Sequence, residues 1–473
     1  MKDGTLIAID VLLPAPEDFD RSKGLTCILH QTRYHRHMQL RKPIGNLVSG
    51  GKPVDIINFL AKRGFVSSGY AVVSVDVRGT GASSGRWPYA WSEQERQDSL
   101  EVLDWIQRQP WSNGKVVTYG ISYDGTAALW TSAMGHPSVV GCVARYPFWD
   151  VYGDIAMVNG VPMRSFFEQW MALNRALDAN KLSMLPGAGG LFAPLVVKGV
   201  SVPQEVERSS PEAYQSLRLA QGAAEAVARP DDVILMSEDG VEVTSVPPGA
   251  TSPGAATASA AEVDQRARLK RIESKSRVKS AVKEHQSWDL LSDLAEVRYI
   301  DQRGPDAGVS VQDITCARMC EDLVRSGVSL YVESGWLDST TYGALAIYHH
   351  CCENPASQAR LHKLVIGPWN HSGKPVACRP TPNGGSYDAS KPSGFSSGFM
   401  STPRGLEASN QLSQFAHIRD IVQFVHDCLD PQDRPVPVQQ PKAEGSSPAD
   451  LVSPRRRSLA KALTERLHLG RGK

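Results

Sequence analysis

A serine, a carboxylate and a histidine, each set just past an apolar run, are the residues of this chain whose types and spacing could do chemistry together. The serine lies in Lys115–Trp130, KVVTYGISYDGTAALW. The apolar residues Val116, Val117, Tyr119 and Ile121 lead into Gly120-Ile121-Ser122-Tyr123-Asp124-Gly125, and a small-residue stretch, Thr126 to Trp130, follows. This pattern predicts a strand, a sharp turn and a helix, with Ser122 at the apex. It is the G-x-S-x-G nucleophile elbow with one extra spacer before the final glycine. Such a turn strains the backbone and needs small flanking residues, which Gly120 and Gly125 supply. Taken alone, the motif also fits an ordinary strand-to-helix loop carrying a chance serine.

A serine hydroxyl is a poor nucleophile without an adjacent base. Histidine can take its proton near neutral pH and hand it to a leaving group. A buried carboxylate fixes the imidazole tautomer and stabilises the imidazolium. Asp338 follows the apolar run Ser329–Glu333 through Ser334-Gly335-Trp336-Leu337, and His371 follows His362–Gly367 through Pro368-Trp369-Asn370. Asp150, just past the run Val139–Tyr146, is the rival acid. His35, His37, His349, His350 and His417 compete with His371, but none of them follows a late strand and turn. For the oxyanion of an acyl-transfer intermediate, the Tyr123 N–H is the first expected donor. The second is expected from the loop near Arg33-Tyr34.

These residues need a scaffold that gathers strand ends. Tyr70–Asp76, YAVVSVD, reads as a strand buried on both faces, as in a parallel sheet. Amphipathic Gln94–Gln109, with Leu100, Leu103, Trp105 and Ile106 toward a core, predicts a helix. Strands alternating with such helices indicate an α/β class with right-handed crossovers. The order nucleophile, acid, histidine is that of the α/β-hydrolase fold. Residues 151–295 break the alternation and are expected to form a helical cap inserted after the sixth-strand region, with a low-complexity loop at 247–261. Phe166 and Trp170 in that insertion, with Trp149 and Trp336 beside the strand ends, are candidate pocket residues, and plain core packing is the competing role. The expected division is hydrolase core over 1–150 and 296–375, the cap between them, a linker and helix over 376–430, and a tail over 431–473.

Composition excludes more than it assigns. The 473 residues carry 51 basic and 50 acidic side chains, so no net charge steers the chain to nucleic acid or an anionic membrane. No window approaches ~18 uninterrupted apolar residues, so no membrane span is expected. The N-terminus lacks the apolar stretch of a signal peptide, and a cytoplasmic setting is expected. The eight cysteines match no zinc spacing, and neither a metal nor a cofactor is expected. The glycines of Arg78–Gly85 lack a phosphate-loop pattern and read as a tight turn. The expected partner is a small ester or amide substrate; homo-oligomerisation stays open.

In five segments the chain resembles the CocE/NonD hydrolases, the cocaine-esterase-like family related to X-Pro dipeptidyl-peptidases. They are MKDGTLIAIDVLLP at the start, DVRGTGASSG at 76–85, QPWSNGKVVTYGISYDG at 109–125, SGWLDSTTYGA at 334–344 and LVIGPWNHSG at 364–373. The resemblance implies a serine hydrolase acting on esters or amides, with Ser122, Asp338 and His371 on the family's triad motifs. It also implies that Tyr34, in TRYHR, supplies the second oxyanion donor through its hydroxyl. Peptidase action on X-Pro substrates is the runner-up. Relatives of this kind carry a C-terminal jelly-roll domain, whereas the sequence after Pro437 shows no run of alternating strands. That departure leaves a weak or inactive remnant as a further alternative.

Overall fold

The computed structural model describes residues 1–55, 57–202, 275–285, 310–371 and 408–438, with backbone alone at 188, 311, 312 and 408–416. The described strands are β1 (Ile9–Leu12), β2 (Leu25–Thr32), β3 (Met38–Leu40), β4 (Ala71–Asp76), β5 (Ser112–Ile121), β6 (Val139–Arg145), β7 (Met157–Val158), β8 (Val161–Pro162), β9 (Val197–Val200), β10 (Ser329–Leu337) and β11 (His362–Asn370). Seven of them form one sheet in the order β1-β4-β2-β5-β6-β10-β11. Only β1 runs antiparallel to its neighbour; the remaining pairs are parallel. β2, β4, the Val116–Gly120 half of β5 and most of β6 are buried on both faces, which is why none of them shows a clean apolar–polar alternation.

Helices cover both faces. On one, Glu93–Arg108, Tyr123–Ala133, Cys320–Ser326 and Thr341–Glu353 contribute Leu103, Ile106, Leu129, Leu323 and Ile347 to the larger core. On the other, Phe65 of helix Phe59–Ser67 meets Ile421, Phe424 and Val425 of helix Ala408–Asp427 over Val72, Val117, Val143 and Tyr331. The late helix, expected as a terminal amphipathic helix after a linker, is therefore part of the sheet's packing. Asp420 fixes it further by accepting from the Tyr331 hydroxyl at 2.9 Å.

The segment between β6 and β10 holds helices Arg164–Asp178 and Ala188–Val196 and a helix over 275–284. It also holds strands that the expectation of a purely helical insertion passed over. β7 and β8 form a small antiparallel pair, and β9 pairs with β3. Strands of two to four residues are too short to display a period of two, so their pairing is a tertiary event. The loop at 247–261, the linker from 376 to 407 and the tail from 439 onward lie outside the described residues. Among the described residues, no helix is long and apolar enough to cross a membrane.

Candidate active site

Each of the three singled-out residues is the first residue after a parallel strand. Ser122 follows β5, Asp338 follows β10 and His371 follows β11. Parallel pairing of β5, β6, β10 and β11 delivers all three to one edge of the sheet. β10 and β11 run three or four residues past the apolar runs visible in the sequence, because they continue through Ser334–Leu337 and Pro368–Asn370.

Ser122 stands at φ 60° and ψ −122°, between β5 and helix Tyr123–Ala133. A non-glycine residue at positive φ is held by its surroundings at a cost of about 1–3 kcal/mol. The hold comes from both sides: the Ser122 N–H donates to the Arg145 carbonyl at 2.8 Å, and its own carbonyl accepts from Thr126 N–H at 2.9 Å. The flanking glycines are required by space. A Cβ on Gly120 would lie 2.0 Å from the Asp124 carbonyl oxygen, and one on Gly125 would lie 2.6 Å from the Arg145 carbonyl oxygen. The extra spacer in the elbow is Asp124, a buried side chain whose Oδ2 lies 2.9 Å from His30 Nε2.

His371 Nε2 lies 2.8 Å from Ser122 Oγ, and its Nδ1 lies 2.6 Å from Asp338 Oδ2. An ionised carboxylate can only accept, so Nδ1 carries the proton and Nε2 is left to accept from the serine hydroxyl. The other Asp338 oxygen accepts from the Thr340 N–H at 2.8 Å. Burial works against the Asp338 charge, but the hydrogen bond and charge of His371, with Thr340, hold its carboxyl below the usual range. Asp338 is 1% exposed and His371 35% exposed, so the carboxylate is sealed off while part of the imidazole stays accessible. Phe148 stacks beside the ring at 12°.

Asp150, the rival acid, points elsewhere. Its carboxylate accepts from the N–H groups of Tyr152 and Gly153 and from the Thr315 hydroxyl. The competing histidines are likewise engaged away from Ser122: His37 with Asp10, His350 with Glu321, His349 with Glu353 and His417 with Glu333. His35 Nε2 faces the Leu177 carbonyl.

Tyr123 opens its helix, where the first N–H groups have no intrahelical acceptor. Tyr34, two residues past β2, meets Tyr123 edge to face at 6.0 Å. Its hydroxyl oxygen accepts from Trp170 Nε1 at 2.8 Å. Indole can only donate, so Tyr34 keeps its own proton available, with no acceptor among the described residues. Burial raises the phenol above its ordinary value, while Arg33 and the Trp170 bond work the other way. Of the pocket candidates, Trp170 reaches this machinery directly. Trp149 and Phe166 are partly buried against the main core, and Trp336 is 64% exposed.

The structure adds groups that sequence reasoning passed over. Glu95 lies against the elbow helix and contacts Tyr123, Trp87 and Trp91. The available signal was Ser92-Glu93-Gln94-Glu95, an S-x-x-E helix start. Ser92 does cap helix Glu93–Arg108, accepting from the Glu95 N–H. Arg145 at the end of β6 forms a two-pronged pair with Glu333 of β10, at 3.0 and 2.9 Å.

Comparison with known proteins finds hydrolase relatives. Residues 3–190 match the family model of the X-Pro dipeptidyl-peptidases (S15 family). A protein of Mycobacterium bovis named "Putative serine esterase" is 34% identical over 375 residues, 79% of this chain and 50% of that protein. The cocaine esterase of a Rhodococcus strain is 41% identical over 71 residues, 15% of this chain and 12% of that enzyme. A CocE/NonD family hydrolase structure from Staphylococcus aureus is 24% identical with a TM-score of 0.31, covering 37% of this chain and 31% of that one. The chain spans about half the length of the mycobacterial relatives it matches. With a mostly parallel sheet of the α/β-hydrolase class, the chain is similar to the X-Pro dipeptidyl-peptidases (S15 family) over residues 3–190 and to the mycobacterial putative serine esterases over 375 residues.

Proposed function

We propose that the chain hydrolyses carboxylic ester or amide bonds through Ser122, His371 and Asp338, by way of an acyl-enzyme. The observation that carries this reading is the continuous line of hydrogen bonds from Ser122 Oγ through both ring nitrogens of His371 to Asp338. His371 Nε2 takes the hydroxyl proton as Oγ attacks the acyl carbon. Asp338 keeps the imidazole in the tautomer that leaves Nε2 free and stabilises the imidazolium. The oxyanion then sits against the Tyr123 N–H and the Tyr34 hydroxyl. His371 returns the proton to the departing alcohol or amine, and a water activated by the same nitrogen releases the acid.

A fluorophosphonate probe is expected to label the folded protein, and Ser122→Ala to remove both labelling and ester turnover. No labelling, or unchanged labelling in the variant, rejects the reading. The S15 match favours X-Pro peptidase action as the second reading. A panel of short p-nitrophenyl esters, acyl amides and X-Pro amides separates the two. The intact line of contacts argues against a decayed site, and turnover above the Ser122→Ala background would exclude one. The seven free cysteines among the described residues support a reducing, cytoplasmic setting.

A further inference from the structure

The Ser122–Tyr123 peptide sits on a polar cluster for which the triad chemistry has no use. Both Glu95 carboxylate oxygens accept from the Tyr123 hydroxyl, at 2.8 and 2.9 Å. Glu95 Oε2 also accepts from Trp87 Nε1 at 3.2 Å and from the Trp91 N–H at 3.1 Å. Trp91 stacks on the Tyr123 ring at 4.9 Å and 23°, and its indole N–H donates to the Tyr123 carbonyl at 3.1 Å. The ring, hydroxyl and carbonyl of Tyr123 are therefore all gripped, and its N–H is one of the first of its helix, which have no intrahelical acceptor.

We propose that Glu95 is a positioning residue for the hydrolysis: acting through the Tyr123 side chain, it holds the Ser122–Tyr123 peptide so that the Tyr123 N–H faces the oxyanion. This rests on the reading of Ser122 as the nucleophile. Three donors converge on Glu95, so the cluster is built for the ionised carboxylate. Protonation turns one oxygen from acceptor to donor and weakens the hold on the Tyr123 hydroxyl, which lies against both oxygens.

The titratable neighbours of Glu95 are Tyr123 on the elbow helix and Asp98 one turn along its own helix, which Arg78 chelates. On the loop after β2, Arg33, paired with Asp178, stacks over Trp87 at 4.2 Å. Burial raises Glu95 to about 7, with Asp98 adding to the rise and Tyr123, Trp87 and the Trp91 N–H opposing it. The grip is then present above about pH 7 and lost as the pH falls below it.

The test uses the full chain and a short p-nitrophenyl ester. Glu95→Gln is expected to lower kcat about tenfold with KM within about twofold, because the oxyanion contact is made in the transition state. Tyr123→Phe keeps the stack on Trp91, removes the gripped hydroxyl and should give a similar loss. The double variant should be no worse than either single one. In a His371→Ala background, tryptophan emission should still change with a midpoint near 7, and Glu95→Gln should abolish that change. An unaltered kcat in Tyr123→Phe, fully additive losses in the double variant, or an emission change that survives Glu95→Gln overturns the proposal, and Tyr123→Phe decides it if Glu95→Gln fails to fold. Wild-type turnover insensitive to Ser122→Ala would instead remove the reading of the site, and the proposal with it.

Discussion

Asp338, Tyr34 and Trp170 each make a different prediction under the proposed hydrolysis. Asn at 338 could still contact His371, but it would present a donor where the ring now meets an acceptor. Asp338→Asn is therefore expected to leave folding intact and lower kcat by about 10⁴-fold, measured as steady-state ester turnover. Tyr34 spends its oxygen on Trp170 and keeps its proton. Tyr34→Phe should lower kcat by roughly 10²-fold with little change in KM, the pattern expected when a donor to the oxyanion is removed. Trp170→Phe leaves the Tyr34 hydroxyl present but no longer oriented, so its loss should be smaller in the same assay.

The strands and the elbow set these residues by close approach of backbone. Gly125→Ala would drive a Cβ to 2.6 Å from the Arg145 carbonyl oxygen, the acceptor that holds Ser122 N–H. We expect destabilisation of about 1–3 kcal/mol by denaturant unfolding, with loss of probe labelling in the fraction that remains folded. A related constraint shapes the late strands. The Trp369 indole lies across β11, donates to the Ser334 carbonyl at 2.9 Å and leaves no room for a Cβ on Gly367, which would meet the ring at 2.0 Å. This contact gives a physical reason for glycine at 367, ahead of Pro368 and Trp369 and four residues before His371.

Across the whole molecule, the pair Arg145–Glu333 ties β6 to β10 beneath the site, with His417 of the late helix 3.3 Å from the same carboxylate. Burial opposes the Glu333 charge, yet Arg145 and His417 bring its carboxyl down to about 2 from 4.5. A carboxyl lowered on folding adds stability above its unfolded value and loses it as the pH falls through the folded one. The thermal midpoint should therefore decline between about pH 4.5 and 2, and part of that decline should vanish in Glu333→Gln. Arg145→Ala strands a buried carboxylate and is expected to cost about 3–5 kcal/mol by denaturant unfolding.

The sequence by itself determined the class of the fold and marked out Ser122, Asp338 and His371 as the candidate positions. Strand interiors buried on both faces favour apolar residues, so Val116–Ile121 and Val139–Tyr146 announce themselves, and polar residues after such runs stand out. Ser122, Asp338 and His371 were legible for that reason, and Gly120 and Gly125 marked the strained turn between them. The loop near Arg33-Tyr34 was expected to supply the second donor, but the Tyr34 hydroxyl was singled out only through family resemblance, because a tyrosine in a polar loop carries no local signature. The sequence favoured Asp338 over Asp150, and the tertiary structure supplied the distances: Asp338 lies 2.6 Å from His371, whereas Asp150 accepts from Tyr152, Gly153 and Thr315. The tertiary structure alone showed which aromatic touches Tyr34, that β3 pairs with β9, and that the late helix closes a sheet face. Glu95 is the clearest case. An S-x-x-E helix start specifies a cap within one turn, whereas the grip on Tyr123 joins residues 28 apart and exists only once helix and elbow are packed.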